Sequence, residues 1–171
     1  MKSIKNILII GTGLMGGSLA KSLTNLKNAN RDFYIAGICK DRRELIKISK
    51  RNIFDYITSE FERQAIKDAD LIVVCTPVAI ISSIINKIAG FVNNECIITD
   101  VGSVKESIYT GIKKKYRKLY LGSHPMCGSE KSGIENLDET LYENAVVMLT
   151  PWSAADNQKC ARLREFWSLL K

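Results

Sequence analysis

The chain holds one histidine, His124, in the glycine- and serine-rich stretch "YLGSHPMCGSEKSG", residues 120–133. An imidazole titrates near pH ~6.5, so it can take a proton at neutral pH. A lone loop histidine more often bonds backbone than substrate, so its meaning depends on its company. Three further stretches can do chemistry. "GTGLMGGS" begins at Gly11, "TDVGSVKES" carries Asp100, Gly102 and Ser103, and "AGICKDRRE" carries Cys39, Lys40, Arg42 and Arg43.

Gly11, Gly13 and Gly16 form G-x-G-x-x-G directly after an apolar strand pattern and at the head of a helical one. In that context the motif predicts a pyrophosphate cradle. The first glycine permits the turn, the second lets backbone amides reach the anion, and the third lets helix and strand pack closely. The free N–H groups and positive dipole end of the helix supply the attraction. The predicted contacts are Gly11, Thr12, Gly13, Leu14, Met15 and Gly16. At the end of the second strand an acidic side chain would bond the ribose 2′-hydroxyl of NAD, while cations suit the 2′-phosphate of NADP. Cys39 stands at that position, followed by Lys40, Arg42 and Arg43. The reading favours NADP over NAD. A register two residues later would put Asp41 there and restore NAD. Thr76 and Pro77 close another strand and either pass the cofactor or simply end the strand. Asp100 and Gly102 are read as further cofactor contacts.

These residues need elements to position them. Short apolar runs alternate with amphipathic stretches along the whole chain. Strands are predicted at 6–10, 33–38, 56–58, 71–75, 96–101, 119–123 and 145–150. Helices are predicted at 14–27, 41–50 with Asp41 as N-cap, 60–67, 78–89 and 104–115, with a last one opened by Pro151. Continuous rather than alternating apolar strands argue for a parallel sheet covered on both faces, the doubly wound α/β class. In such sheets ligands sit beyond the carboxyl ends of the strands, where every residue singled out above falls.

Composition narrows the field. With 46% hydrophobic and 25% charged residues in 171, the chain reads as an ordinary globular domain. No apolar run is long enough to span a bilayer. "MKSIKNILII" reads as a first strand rather than a signal peptide, so the expected location is cytoplasmic. The five cysteines form no C-x-x-C pair, so neither a zinc site nor any other metal is expected. The net charge of +7 suits a small polyanionic ligand. Only "KKKYRK", 113–118, is dense, and it reads as a helix end rather than a nucleic-acid contact.

The glycine loop, the D-x-G-S-V-K segment at 100–105 and the G-S-H-P-M-x-G-S-E block at 122–130 together resemble the prephenate dehydrogenase family, which includes arogenate and cyclohexadienyl dehydrogenases. The resemblance runs along the whole chain. It implies a Rossmann-type NAD(P)-binding domain over 1–151. Residues 152–171 would be a terminal helix leading to an all-helical domain that makes a homodimer and is absent from this chain. It implies oxidative decarboxylation of prephenate to 4-hydroxyphenylpyruvate, or of arogenate to tyrosine, with no nucleic acid or membrane partner. His124 would remove the ring hydroxyl's proton, Ser103 would hold that hydroxyl, and Glu130 would sit at the site entrance. Ser103 has a rival role, as the cap of a helix with Glu106 completing a capping box. Cys127 stands where the family often has alanine, and reads as an inert small side chain. A β-hydroxyacid-type dehydrogenase and a non-catalytic dinucleotide-binding module are the rival functions.

Overall fold

The computed structural model describes residues 3–29, 32–127, 131, 133–153 and 156–170. In β1 (Asn6–Ile10), Ile7, Leu8, Ile9 and Ile10 are all buried, which only a strand covered on both faces allows. Successive side chains diverge. Ile7 and Ile9 enter one apolar cluster, Leu8 and Ile10 another. The same alternation splits β4 (Leu71–Val74), with Leu71 and Val73 on one face and Ile72 and Val74 on the other.

β1 and β4 join β2 (Tyr34–Ile38), β3 (Tyr56–Thr58) and β5 (Ile97–Asp100) in a parallel sheet of order β3-β2-β1-β4-β5. The order reverses at β1, which opens a crevice at the carboxyl ends of β1 and β4. Leu19 and Leu23 of α1 (Leu14–Asn28), Ile48 of α2 (Arg42–Ser49), and Leu163 and Phe166 of α6 (Asn157–Ser168) cover one face. Ile66 of α3 (Arg63–Asp68), Ile81, Ile85 and Ile88 of α4 (Val78–Ile88), and Ile108 of α5 (Glu106–Gly111) cover the other.

α4 shows which effect wins. Isoleucine lowers helix propensity by up to ~0.7 kcal/mol per residue. Burying an isoleucine contributes roughly 1.5–3 kcal/mol. Ile81, Ile85 and Ile88 share one face and are fully buried, so burial holds the helix. α2 begins as the sequence predicts, because the Asp41 carboxylate accepts from the amides of Arg43 and Glu44.

Two stretches differ from the prediction. The expected helix 104–115 is cut to α5, and Lys114–Leu119 forms a separate 3₁₀ turn. Ile112 is extended and buried, which draws the chain off the helix. The dense basic run still serves that helix end, since the Arg117 guanidinium donates to the carbonyls of Thr110 and Ile112. Pro151 starts no helix. The Asp156 carboxylate accepts from the amides of Trp152 and Ser153, holding a turn before α6, and the Trp152 ring stacks on Tyr109 at 3.8 Å. Finally β6 (Gly122–Pro125) pairs antiparallel with β7 (Val147–Thr150), and a parallel bridge from Ile98 to Tyr120 attaches this hairpin to β5.

Candidate active site

A groove of about 940 Å³ opens over the carboxyl ends of β1, β2 and β4. Gly11, Thr12, Gly13, Leu14 and Met15 line it from the glycine loop, Cys39, Lys40 and Arg43 from the end of β2, and Thr76 and Pro77 from the end of β4. Gly11 has φ +92°, and a Cβ there would lie 2.7 Å from the Cys75 carbonyl oxygen. Gly16 sits behind the loop, where a Cβ would lie 1.9 Å from the Gly11 carbonyl oxygen. Both need glycine for steric reasons. Arg42 is exposed and is not part of the groove wall. A smaller concavity of about 550 Å³ lies near Asn6, Tyr34 and Tyr56, away from all of these residues.

The groove suits a dinucleotide on three counts. A Cβ on Gly13 would meet nothing within 4 Å, so the space above the loop is open. The first turn of α1 has no side-chain cap, which leaves its amides available to an anion. The Thr76 hydroxyl is buried without a hydrogen-bond partner among the described residues, while its residue lines the groove. A buried hydroxyl in that state costs free energy that a ligand could recover.

The ribose end of the groove is built from the end of β2 and the start of α2. β2 ends at Ile38, paired with Thr58, so Cys39 stands at the selecting position. Its thiol donates to the carbonyls of Asp41 and Thr58. The Asp41 carboxylate accepts from the amides of its own helix through one oxygen, and Asp41 also lines the groove. Sequence reasoning missed Glu44, which lines the groove and accepts a 2.6 Å hydrogen bond from the Thr12 hydroxyl. Lys47, one turn further along α2, also lines it. The helical spacing of Glu44 and Lys47 was the available signal.

His124 lies in β6, opposite Met148 of β7, and is half-buried. The Ile98–Tyr120 bridge and a 2.6 Å bond from the Ser123 hydroxyl to the Asp100 carbonyl run β6 along β5. His124 therefore stands past the carboxyl end of β5. Ser103 is exposed and caps no helix, because α5 starts later, with Lys105 at its N-cap and no side-chain cap. The capping-box reading is thereby corrected. Neither His124 nor Ser103 lines the groove itself. Met126, Val146 and Met148, on β6, β7 and their ends beside His124, are exposed, which makes that side apolar and open. Glu130 falls outside the described residues.

Asp100 and Gly102 stand apart from the groove lining. Neither lines the groove, and Asp100 is fully buried. The Asp100 carboxylate accepts from the Gly102 amide at 2.9 Å, the Lys105 ammonium at 2.5 Å and the Tyr120 hydroxyl at 2.8 Å. These partners satisfy the buried charge and leave it no face toward a cofactor. Burial lowers the Lys105 pKa, against the raising effect of Asp100. Burial, and then the Asp100 charge, push the Tyr120 hydroxyl far up, so it stays a donor. Burial also pushes the Cys127 thiol up to about 11.

A parallel sheet with its glycine loop at the switch point, and a groove of this shape, define a dinucleotide-binding domain of the Rossmann type. The family description "Prephenate dehydrogenase, nucleotide-binding domain" matches residues 22–171. The chain belongs to that family. It is 38% identical over 157 residues to a prephenate dehydrogenase of Lactococcus lactis, covering 86% of this chain and 41% of that protein. It is 29% identical over 170 residues to a cyclohexadienyl dehydrogenase of Zymomonas mobilis, covering 98% and 56%. Among solved structures, prephenate dehydrogenase from Aquifex aeolicus in complex with hydroxyphenyl propionate and NAD+ superposes with a TM-score of 0.85 at 30% identity, covering 99% of this chain and 58% of that one. Synechocystis arogenate dehydrogenase gives 0.81 at 29% identity, covering 96% and 56%. The chain spans about half the length of these relatives.

Proposed function

We propose that this chain is the dinucleotide-binding half of a dehydrogenase of tyrosine biosynthesis. The reaction is oxidative decarboxylation of prephenate to 4-hydroxyphenylpyruvate, or of arogenate to tyrosine. The observation that supports the reading is that the residue before His124 is bonded to the segment that carries Ser103, the Ser123 hydroxyl donating to the Asp100 carbonyl and Lys105 to the Ser123 carbonyl, at the carboxyl edge of the sheet that carries the dinucleotide groove. The Aquifex relative, crystallised with NAD+ and a hydroxyphenyl compound, supports both the cofactor class and the shape of the substrate.

In this reading the glycine loop and the first turn of α1 hold the pyrophosphate, and the bound dinucleotide would give the buried Thr76 hydroxyl a partner. The nicotinamide, when bound, supplies the hydride acceptor. His124 takes the proton from the ring hydroxyl as hydride leaves the same carbon, and Ser103 orients that hydroxyl. The ring carboxylate departs as CO₂ and the ring becomes aromatic, so the protein's tasks are orientation and deprotonation. Orientation alone supplies ~7 kcal/mol or more of the barrier reduction. Glu130 is proposed for the entrance, and a homodimer completed by a helical domain for the assembly.

We propose NADP as the preferred cofactor. Support comes from Cys39 at the end of β2 and from Lys40 and Arg43 on the groove wall, where Asp41 also lies with one carboxylate oxygen bonded to the amides of α2. Glu44 works against that preference. The test is absorbance at 340 nm with the full-length protein, using prephenate and arogenate with each cofactor. His124→Asn is expected to lower kcat by at least ~10³-fold with the cofactor Kd unchanged. Wild-type turnover in that variant removes the base assignment, and tighter NAD than NADP binding removes the cofactor preference.

A further inference from the structure

We infer that Asp100 is a positioning residue, which fixes Ser103 and His124 relative to each other without touching cofactor or substrate. The inference rests on the proposed role of His124 as base. Each half of the Asp100 residue ties down one of the two segments. Its Oδ2 accepts from the Gly102 amide, at the turn that leads into Ser103. Its main-chain oxygen accepts the Ser123 hydroxyl, one residue before His124. Lys105 closes the link, donating to Asp100 Oδ2 and, at 2.6 Å, to the Ser123 carbonyl. Tyr120 holds Oδ1 from the start of the same segment. The Ser123 hydroxyl also lies 2.9 Å from that of Thr99.

The network is interior. Asp100 is 0% exposed, and its ion pair with Lys105 leaves only 11% of the lysine side chain accessible. Buried networks with every member satisfied are rigid, since a displaced member would leave an unpaired charge in a low dielectric. Sites of this kind need their groups held to within ~0.5 Å, which exposed loops alone do not provide. Ser103 sits on an exposed turn and His124 on a two-stranded hairpin. Asp100 is bonded to both segments, to one through its side chain and to the other through its main chain.

The test uses the full-length protein with Asp100→Asn, which keeps the size and removes the charge. A double variant, Asp100→Asn with Lys105→Met, removes both buried charges and keeps the proposal testable if the single variant fails to fold. In both, kcat is expected to fall roughly a hundredfold, the penalty of a misplaced base, while the cofactor Kd stays within about threefold. A kcat within about threefold of wild type overturns the inference. So does a cofactor Kd raised tenfold or more with saturated turnover intact, which would make Asp100 a cofactor contact. The outcomes separate from those of the proposed function. Loss of activity in His124→Asn alongside normal turnover in Asp100→Asn sinks only the inference. An inactive wild-type protein sinks the reading beneath it.

Discussion

Single residues in this domain are constrained by backbone geometry as much as by chemistry. Gly11 joins a φ of +92° to a Cβ position 2.7 Å from a carbonyl oxygen. Left-handed backbone costs an L-residue roughly 1–2 kcal/mol, and the overlap adds to it. Gly11→Ala is therefore expected to lower the melting temperature and to weaken cofactor binding about tenfold or more, read by calorimetric titration. Gly13→Ala, whose added methyl meets only open space, should fold normally and lose affinity alone. Cys127 behaves in the opposite way to a reactive thiol. With its pKa pushed up to about 11 by burial, its thiolate fraction at pH 8 is roughly a hundredfold below that of an ordinary cysteine. Alkylation by iodoacetamide should be slow at Cys127, and rapid labelling there would mean that the site opens in solution.

At the level of elements, α6 carries the clearest internal conflict. Arg162 is buried on this helix and donates from Nη1 to the Glu95 carbonyl at 2.8 Å. Its Nε and Nη2 have no partner among the described residues. Unsatisfied buried donors cost ~1–3 kcal/mol, and a buried ion is often replaced by an apolar side chain without loss. Arg162→Met is expected to raise stability by about 1 kcal/mol in urea melts. A fall of that size would mean that the guanidinium is a net contributor. The same helix marks a limit of sequence reading. Pro151 is well suited to a first turn, yet the helix starts six residues later, at Asn157. The reason is tertiary. The Asp156 carboxylate accepts from the amides of Trp152 and Ser153, and Trp152 stacks on Tyr109, which holds these two residues off the helix.

Across the whole molecule, several carboxylates share one pH response. Backbone amides of α2 hold Asp41 below the usual range, and the hydroxyl and amide of Thr140 do the same for Asp138. Burial works to raise Asp156, but Lys159 and the amides of Trp152 and Ser153 outweigh it. A carboxyl with a lower pKa folded than unfolded leaves the unfolded chain binding more protons in acid, so stability decreases there as the pH is lowered. The stabilisation is fully present above the unfolded value near ~3.9 and is lost as pH falls through the lower folded values. Urea midpoints should be flat from neutral pH to about 5 and drop below about 4. A midpoint that falls already between pH 7 and 5 would point to other groups.

The sequence by itself determined the layered α/β architecture, the glycine loop and the position of Cys39. Each depends on local rules: two-sided burial of short apolar strands, steric demands on single glycines, and the Asp41 cap that ends the loop after β2. It also marked His124 and Ser103 through the motifs they sit in. Only the tertiary structure decided the place of Asp100, which reads as a ligand residue at a strand end and is instead enclosed by Lys105, Tyr120 and the Gly102 amide. It also brought Glu44 to Thr12 across 32 residues of chain. Such contacts depend on which side chains the folded backbone brings together and which it removes from water. No spacing along the chain encodes that, because a strand-end carboxylate faces solvent or interior according to the neighbours packed beside it.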